Sequence, residues 1–341
     1  MKLIIQIPCF NEEKSLPITL SALPRELDGI DQIEWLIIDD GSTDATVPVA
    51  RENGVDHIIQ LYHNQGLARA FLAGLDACLV RGADIIVNTD ADNQYDARDI
   101  PLLIKPILKR EAEFVIGARP IAEIEHFSAT KKLLQRFGSG VVRLISGTEV
   151  RDAPSGFRAL TREAALRINI FDGFTYTLES IIQAGLQNIR VVSVPIRVNG
   201  ETRPSRLIRS VFRYVVRSAI STIRTMVIYR PGKTLFVVGA IPLLVGVFLS
   251  VRWLILFYGD SGERAHVPSL VFAAVLATAG FLLWLCGVIG EMLKINRMLL
   301  EDTQYHLRRQ RLAQLPPPHS GDSQVAESND SRAAPRDAQA A

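Results

Sequence analysis

The sequence predicts an α/β chain, in which an open, mostly parallel sheet is followed by a basic amphipathic helix and a hairpin of two apolar helices. Three observations carry that expectation. Short β-branched runs alternate with helical periodicity over roughly the first 200 residues, the pattern of strands joined by crossover helices. Polar clusters stand directly after three of those runs. Two apolar stretches of bilayer-spanning length lie in the last third of the chain.

Composition narrows the function classes. With 341 residues and a net charge of +2, the chain has room for one large or two average domains and no polyelectrolyte character, so no nucleic-acid partner is expected. Three unpaired cysteines, Cys9, Cys78 and Cys286, argue against a disulfide scaffold and fit a reducing compartment. The apolar start is cut short by Asn11-Glu12-Glu13 with no small-residue cleavage site after it, so no secretory signal is expected.

In order, Leu3–Ile7 reads as a buried strand that runs into Pro8-Cys9-Phe10-Asn11-Glu12-Glu13 and then a helical pattern through Leu16, Leu20 and Leu23. Trp35–Ile38 is a second strand, ending in Asp39-Asp40-Gly41-Ser42; Gly41 suits a tight turn and Asp44 a helix N-cap. Ile58–Leu61 is a third, followed by His63-Asn64-Gln65-Gly66 and a helix over Leu67–Val80. Asp84–Thr89 is a fourth, stopping at Asp90-Ala91-Asp92 with Gln94 close behind. Phe114–Ile116 and Val191–Val194 complete the strands.

Open α/β sheets bind ligands beyond the carboxyl ends of their strands. Asn11/Glu12, Asp39/Asp40 and Asp90/Asp92 all fall at such ends, which makes one rim a candidate site. Two carboxylates at i and i+2 suit a hard divalent cation that completes its shell with water and substrate phosphate. A solvated acidic turn is the bland alternative for Asp-x-Asp alone. There is neither a G-x-G-x-x-G after the first strand nor a G-x-x-x-x-G-K-[ST], so a dinucleotide cofactor and a P-loop are disfavoured.

The set P-C-F-N-E-E (Pro8–Glu13), D-D-G-S-T-D-A-T (Asp39–Thr46), N-Q-G-L (Asn64–Leu67) and D-A-D-N-Q (Asp90–Gln94) resembles, in order and spacing, the family 2 glycosyltransferases, over about residues 3–200. The resemblance implies the GT-A nucleotide-sugar fold. It implies that Pro8, Phe10, Glu12 and one or both of Asp39 and Asp40 line the nucleoside pocket, with Asn11, Gly66 and Ala91 in the same motifs. It also implies that Asp90 and Asp92 handle a metal, Mg²⁺ or Mn²⁺, and the sugar diphosphate. In the dolichyl-phosphate mannose synthase branch a Gln two places after the second Asp also meets the metal, and Gln94 occupies that place.

Asp152-Ala153-Pro154-Ser155-Gly156-Phe157-Arg158 is similar to the D-x-x-S-G-F-R segment of polyprenyl-phosphate glycosyltransferases, which adds Asp152 to the candidate catalytic residues. Glu179 joins them by resemblance to the acceptor-side helix of the family; otherwise it reads as a paired helix-surface residue. Arg119 ends the next strand like the G-S-R of that branch and is read as facing phosphate rather than as a loop charge. Lys131 is a further phosphate candidate, although the solvated side of an amphipathic helix is its plainer reading. Relatives carry R-x-x-G-x-S-K where this chain has Arg203-Pro204-Ser205-Arg206, so Arg203 and Arg206 are phosphate candidates without the Gly.

At about 100° per residue, Arg206, Arg209, Arg213, Arg217 and Arg224 share roughly an 80° arc opposite an apolar face, as in helices lying in a membrane interface. The expected organisation is a glycosyltransferase domain over 1–203, this helix over 204–233, a transmembrane hairpin over 234–293 (about 234–258 and 267–290), and a tail over 294–341, disordered after about 312. Arg224, Arg230, Lys233, Lys294 and Arg297 flank one side, so the catalytic domain is expected to be cytoplasmic.

These features lead to an expected metal-dependent, inverting transfer of a sugar from a GDP- or UDP-linked donor to a polyprenyl phosphate. Two rivals remain at this level: a membrane glycosyltransferase acting on a polysaccharide or glycolipid, and a non-catalytic nucleotide-sugar-binding scaffold. Sugar, base, polyprenol length and oligomeric state, a homo-oligomer included, are open.

Overall fold

The computed structural model describes residues 1–120, 129–170, 176–199, 224, 226–259 and 267–314, with the side chains of 129–137 left out of the description. The Lys131 side chain, Arg203, Arg206, the basic helix as far as residue 223 and the tail from 315 therefore lie outside the described residues. The chain divides into two compact units, Met1–Leu207 with Arg308–Ala341, and Ile208–Leu307.

The first unit holds a seven-stranded sheet: β1 (Lys2–Cys9), β2 (Gln32–Asp39), β3 (His57–Gln60), β4 (Ile85–Asn88), β5 (Phe114–Ala118), β6 (Arg158–Thr161) and β7 (Val191–Pro195), in the order β3-β2-β1-β4-β6-β5-β7. Around it lie α1 (Leu16–Ala22), α2 (Thr46–Glu52), α3 (Leu67–Val80), α4 (Ile100–Leu108), α5 (Ala129–Ser146), α6 (Arg162–Arg167) and α7 (Tyr176–Leu186). β1 is an interior strand, parallel to β2 on one side and to β4 on the other, so chain order reverses between β1 and β4. That is the switch point at which such sheets open a binding crevice. Leu3, Ile5 and Ile7 of β1 are fully buried and pack with Ile37, Val87, Leu16 and Leu103 in one core.

The sequence reading lacked β6, which runs antiparallel between β4 and β5. Four residues directly behind a Gly-Phe turn carry no alternation to signal a strand. Its direction matters to function: β6 begins at the rim where β4 ends, with Arg158 opposite Asn88, so the loop before it (Asp152–Phe157) is delivered to that rim. The short α6 after it was missed too, although Thr161 caps it by accepting the Ala164 N–H at 3.1 Å.

The second unit contains α8 (Pro231–Gly259) and α9 (Val267–Gln314) as far as Leu307, both helices long and apolar enough to cross a membrane. Small residues recur every seventh position on each, Gly232, Gly239 and Gly246 against Ala273, Gly280 and Gly287. A Cβ on Gly239 would stand 2.9 Å from the Gly280 carbonyl oxygen, one on Gly280 would stand 2.7 Å from the Gly239 carbonyl, and one on Gly246 would stand 2.7 Å from the Ala273 carbonyl. The backbones thus approach as closely as small-residue helix pairs in lipid do. The Trp284 indole N–H crosses the pair to the Phe236 carbonyl at 3.0 Å.

α9 runs on past the apolar stretch of the second span. The apolar run stops near Gly290, but the helix continues to Gln314. Residues 291–314 contain no Gly or Pro, are rich in strong helix formers, and add the Arg297–Glu301 pair at 2.8 Å. The Pro316–Pro318 run comes only after them.

Candidate active site

Three loops meet at the rim. The β1 and β2 loops are laced together: Asn11 donates its N–H to Ser42 Oγ at 2.9 Å, Thr43 N–H returns to Asn11 Oδ1 at 2.8 Å, and Glu12 N–H reaches Thr46 Oγ1 at 2.8 Å. Gly41 takes the positive φ its turn requires, +72°. Asp44 accepts the Thr46 N–H at 3.0 Å, as an N-cap would, from one residue further out than α2's first flanking position.

Asp39 and Asp40 separate in role. Both Asp40 oxygens are engaged by the third loop, accepting the N–H groups of Gln65 at 2.8 Å and Gly66 at 2.9 Å. Asp40 therefore braces the N-Q-G-L turn, and Gly66 takes part as an amide donor to it. Asp39 accepts one amide, Ser42 N–H at 3.1 Å. Pro8 is buried at the end of β1, Glu12 is 8% exposed, and Phe10 stands out at 39%, an aromatic face available for stacking at the rim.

Beyond β4, Ala91 is buried and its carbonyl accepts from Thr19 Oγ1 at 2.9 Å, tying the acidic turn to α1. Asp92 Oδ1 accepts the Gln94 N–H at 3.1 Å. Gln94 offers its carbonyl to Asn199 N–H at 2.9 Å, so the segment after β7 supports the turn. Burial and then the neighbouring Asp92 push the Asp90 carboxyl up to about 7, against the opposing pull of Arg119, Arg158 and a hydrogen bond from Tyr95.

Asp90, Asp92 and the Gln94 side chain make a hard-oxygen set with crowded like charge, which fits Mg²⁺ or Mn²⁺. Among the described residues no group of three or more His, Cys, Asp and Glu converges, so a cation here would draw the rest of its shell from diphosphate and water.

Arg119 and Asp152 turn out to be partners. Arg119 Nε and Nη2 donate to the two Asp152 oxygens at 2.7 and 3.1 Å, with side chains 10% and 1% exposed. Glu179 is buried in the first turn of α7, not on its surface. Its neighbour Ser180 accepts Arg158 Nη1 at 2.6 Å. Arg158 is fully buried and also donates to the carbonyls of Ser155 at 2.7 Å and Ala153 at 2.9 Å, so it shapes the loop from inside.

Sequence reasoning passed over Gln6, Asn88, Tyr95 and the roles of Gly156 and Arg158. A signal existed for the first two. Gln6 interrupts an otherwise apolar buried strand and Asn88 closes one, and a polar group so placed must find a partner. They lie opposite each other in register, with Gln6 Nε2 donating to Asn88 Oδ1 at 2.9 Å.

Comparison with known proteins extends this geometry. Residues 4–168 match the model of the family described as Glycosyl transferase family 2. The undecaprenyl-phosphate mannosyltransferase of Micrococcus luteus is 28% identical over 219 residues, covering 60% of this chain and 88% of that protein. The UDP-N-acetylglucosamine–dolichyl-phosphate N-acetylglucosaminyltransferase of Methanococcus voltae is 30% identical over 215 residues, covering 56% and 83%. Among solved structures, glucosyl-3-phosphoglycerate synthase from Mycobacterium tuberculosis, in complex with Mn²⁺, UDP and phosphoglyceric acid, superposes with a TM-score of 0.51 at 20% identity, covering 65% of this chain and 78% of that one. Likeness at that identity shows the fold.

Proposed function

The chain belongs to glycosyl transferase family 2 and has the GT-A fold, and from that premise we propose that this glycosyltransferase moves a sugar from a nucleoside-diphosphate donor to a polyprenyl phosphate. The observation that carries the reading is a single chain combining an acidic rim at the β1/β4 switch point with two helices of membrane-spanning length. The acceptors named for the Micrococcus and Methanococcus relatives support it.

In this reading Phe10, Asn11, Glu12 and Asp39 receive the nucleoside, while Asp40 and Gly66 hold the loop beside it. Asp90, Asp92 and Gln94 would hold the cation, which when bound neutralises charge on the departing diphosphate. Arg119 has N–H groups beyond the two that Asp152 takes, and with Lys131, Arg203 and Arg206 it would take the acceptor phosphate. A phosphate monoester has its second pKa near about 6, so the attacking oxygen is already largely anionic at neutral pH. The protein then has to place that oxygen rather than deprotonate it. A bond forms between the anomeric carbon and the lipid phosphate oxygen, the bond from that carbon to the diphosphate breaks on the opposite face, and nucleoside diphosphate leaves. Inversion of an α-linked donor gives a β-linked lipid monosaccharide. Glu179, buried on α7, is the candidate on the acceptor side. The basic residues flanking the hairpin support a cytoplasmic placement for this domain.

The test supplies purified chain in detergent with radiolabelled GDP-mannose, UDP-glucose or UDP-N-acetylglucosamine, a divalent cation, and undecaprenyl or dolichyl phosphate. Label extracted into the organic phase with one donor is the expected result. Label that enters only an added polysaccharide or glycolipid, or no turnover with any donor, overturns it.

A further inference from the structure

A chain of buried hydrogen bonds runs from the sheet's interior to the acidic rim. Cys78 Sγ on α3 donates to Gln6 Oε1 at 3.8 Å. Gln6 Nε2 donates to Asn88 Oδ1 at 2.9 Å, and Asn88 Nδ2 to the Gly156 carbonyl at 2.7 Å. The Gly156 N–H donates to Tyr95 Oη at 2.9 Å. Because that hydroxyl oxygen is the acceptor, its single proton is left to donate, on the side of Asp90, whose carboxyl it helps to hold down. The amide groups of Gln6 and Asn88 each accept through oxygen and donate through nitrogen in the same direction, so those bonds polarise one another, and the run ends on the Gly156 carbonyl. Cys78, Gln6 and Asn88 are wholly buried, and Tyr95 is 4% exposed with its ring stacked on Phe157 at 5.2 Å.

Gly156 is held at both ends of its backbone, by Asn88 and by Tyr95. Its bare α-carbon faces the acid: a Cβ there would lie 2.9 Å from each Asp90 oxygen. Asp90 thus abuts a glycine whose carbonyl is held by a core-strand side chain and whose N–H is held by Tyr95.

From this geometry we infer that Tyr95 and Asn88 are positioning residues, which hold the two peptide groups flanking the Gly156 α-carbon and so set the direction from which the Asp90 carboxylate meets the divalent cation. The inference rests on the reading of Asp90 as a cation ligand. Partners that orient a ligand rather than bind the metal typically change metal affinity by about 10–100-fold when removed.

The experiment uses the full chain in detergent and measures Mn²⁺ binding directly, from the free-ion EPR signal, with GDP in one series and UDP in another. Tyr95→Phe keeps the ring stack and removes only the hydroxyl. It is expected to raise the Mn²⁺ Kd about tenfold or more, while metal-free nucleotide binding and Tm stay near wild type. Asn88→Leu removes the opposite half of the clamp without touching Tyr95 and is expected to move Kd the same way. Wild-type Mn²⁺ affinity in either folded variant overturns the inference. If the wild-type chain takes up Mn²⁺ but makes no lipid-linked sugar, the functional reading fails and the clamp is still judged by the Kd comparison. If the wild-type chain takes up no Mn²⁺, both fall.

Discussion

Arg119 and Asp152 form one unit: the guanidinium donates through Nε and Nη2 to both carboxylate oxygens, and the Arg119 backbone N–H adds a third bond at 3.2 Å. The loop after β5 is thereby tied to the loop before β6. Read separately, one residue was a phosphate contact and the other a catalytic acid. Joined, they fix each other's position before any ligand arrives.

Removing one partner should therefore cost more than removing a surface pair. Asp152→Leu leaves a buried guanidinium unmatched and is expected to cost about 3–5 kcal/mol of stability. Arg119→Lys replaces a fork by a point charge and should recover only part of it. Thermal unfolding of both singles and the double variant decides the matter, because additive losses would show two independent residues.

Gly156→Ala puts a methyl group against both Asp90 oxygens. The carboxylate has to swing aside, and a shift of about 1 Å in a reacting constellation costs on the order of 100-fold in rate. Turnover should collapse while Tm stays close to wild type. Full activity in a folded Ala variant would show that Asp90 is free to move.

Asp92→Ala should abolish sugar transfer and leave a folded, membrane-bound protein. Chelation of wild type with EDTA should do the same, reversibly, with activity restored by excess Mn²⁺ or Mg²⁺. Turnover that persists through both treatments would refute a metal at this turn.

At the opposite end of the sheet, Glu34 bonds Lys2 and His57, each at 2.8 Å. Burial raises its carboxyl pKa, but the His57 and Lys2 contacts outweigh it and hold the group below its ordinary value. A depressed folded value means that the stabilisation is fully present above the unfolded value of about 4.3 and is lost as pH falls through the lower folded one. Tm of wild type should exceed that of Glu34→Gln near neutrality, and the gap should close under acid. A constant gap across the titration would contradict the assignment.

Gly280→Leu drives a branched side chain into the α8 backbone, where a Cβ alone already meets the Gly239 carbonyl at 2.7 Å. Overpacking of this kind typically costs about 1–3 kcal/mol. The variant should unfold at a lower temperature in detergent, whereas Leu at the exposed Val271 should have little effect.

Much of the site was legible because its residues sit where periodicity breaks. Runs such as Ile85-Ile86-Val87 announce a strand, and the acids that follow mark its end, so Asp39, Asp40, Asp90 and Asp92 could be placed on one rim from the sequence. What joins them was not legible. Arg119 and Asp152 are 33 residues apart, and no local pattern pairs a loop cation with one particular acid. β6 was hidden by its brevity, and with it the reason the S-G-F-R segment lies under Asp90. Gln6 and Asn88 did leave a trace, as polar residues in apolar strands, but the trace says only that a partner exists. The C-terminal helix escaped because hydropathy reports where lipid-compatible residues stop, not where a helix does.

The interlocking glycines of the hairpin carry a consequence for its behaviour in a bilayer. With carbonyl and α-carbon in contact at intervals of two turns, a slide of one helix along the other by a single residue would bring a side chain onto a carbonyl. The pair has one registry. In a bilayer, a change in thickness would then have to be met by tilting both helices as a single stave, and the pair would answer lipid as one rigid piece.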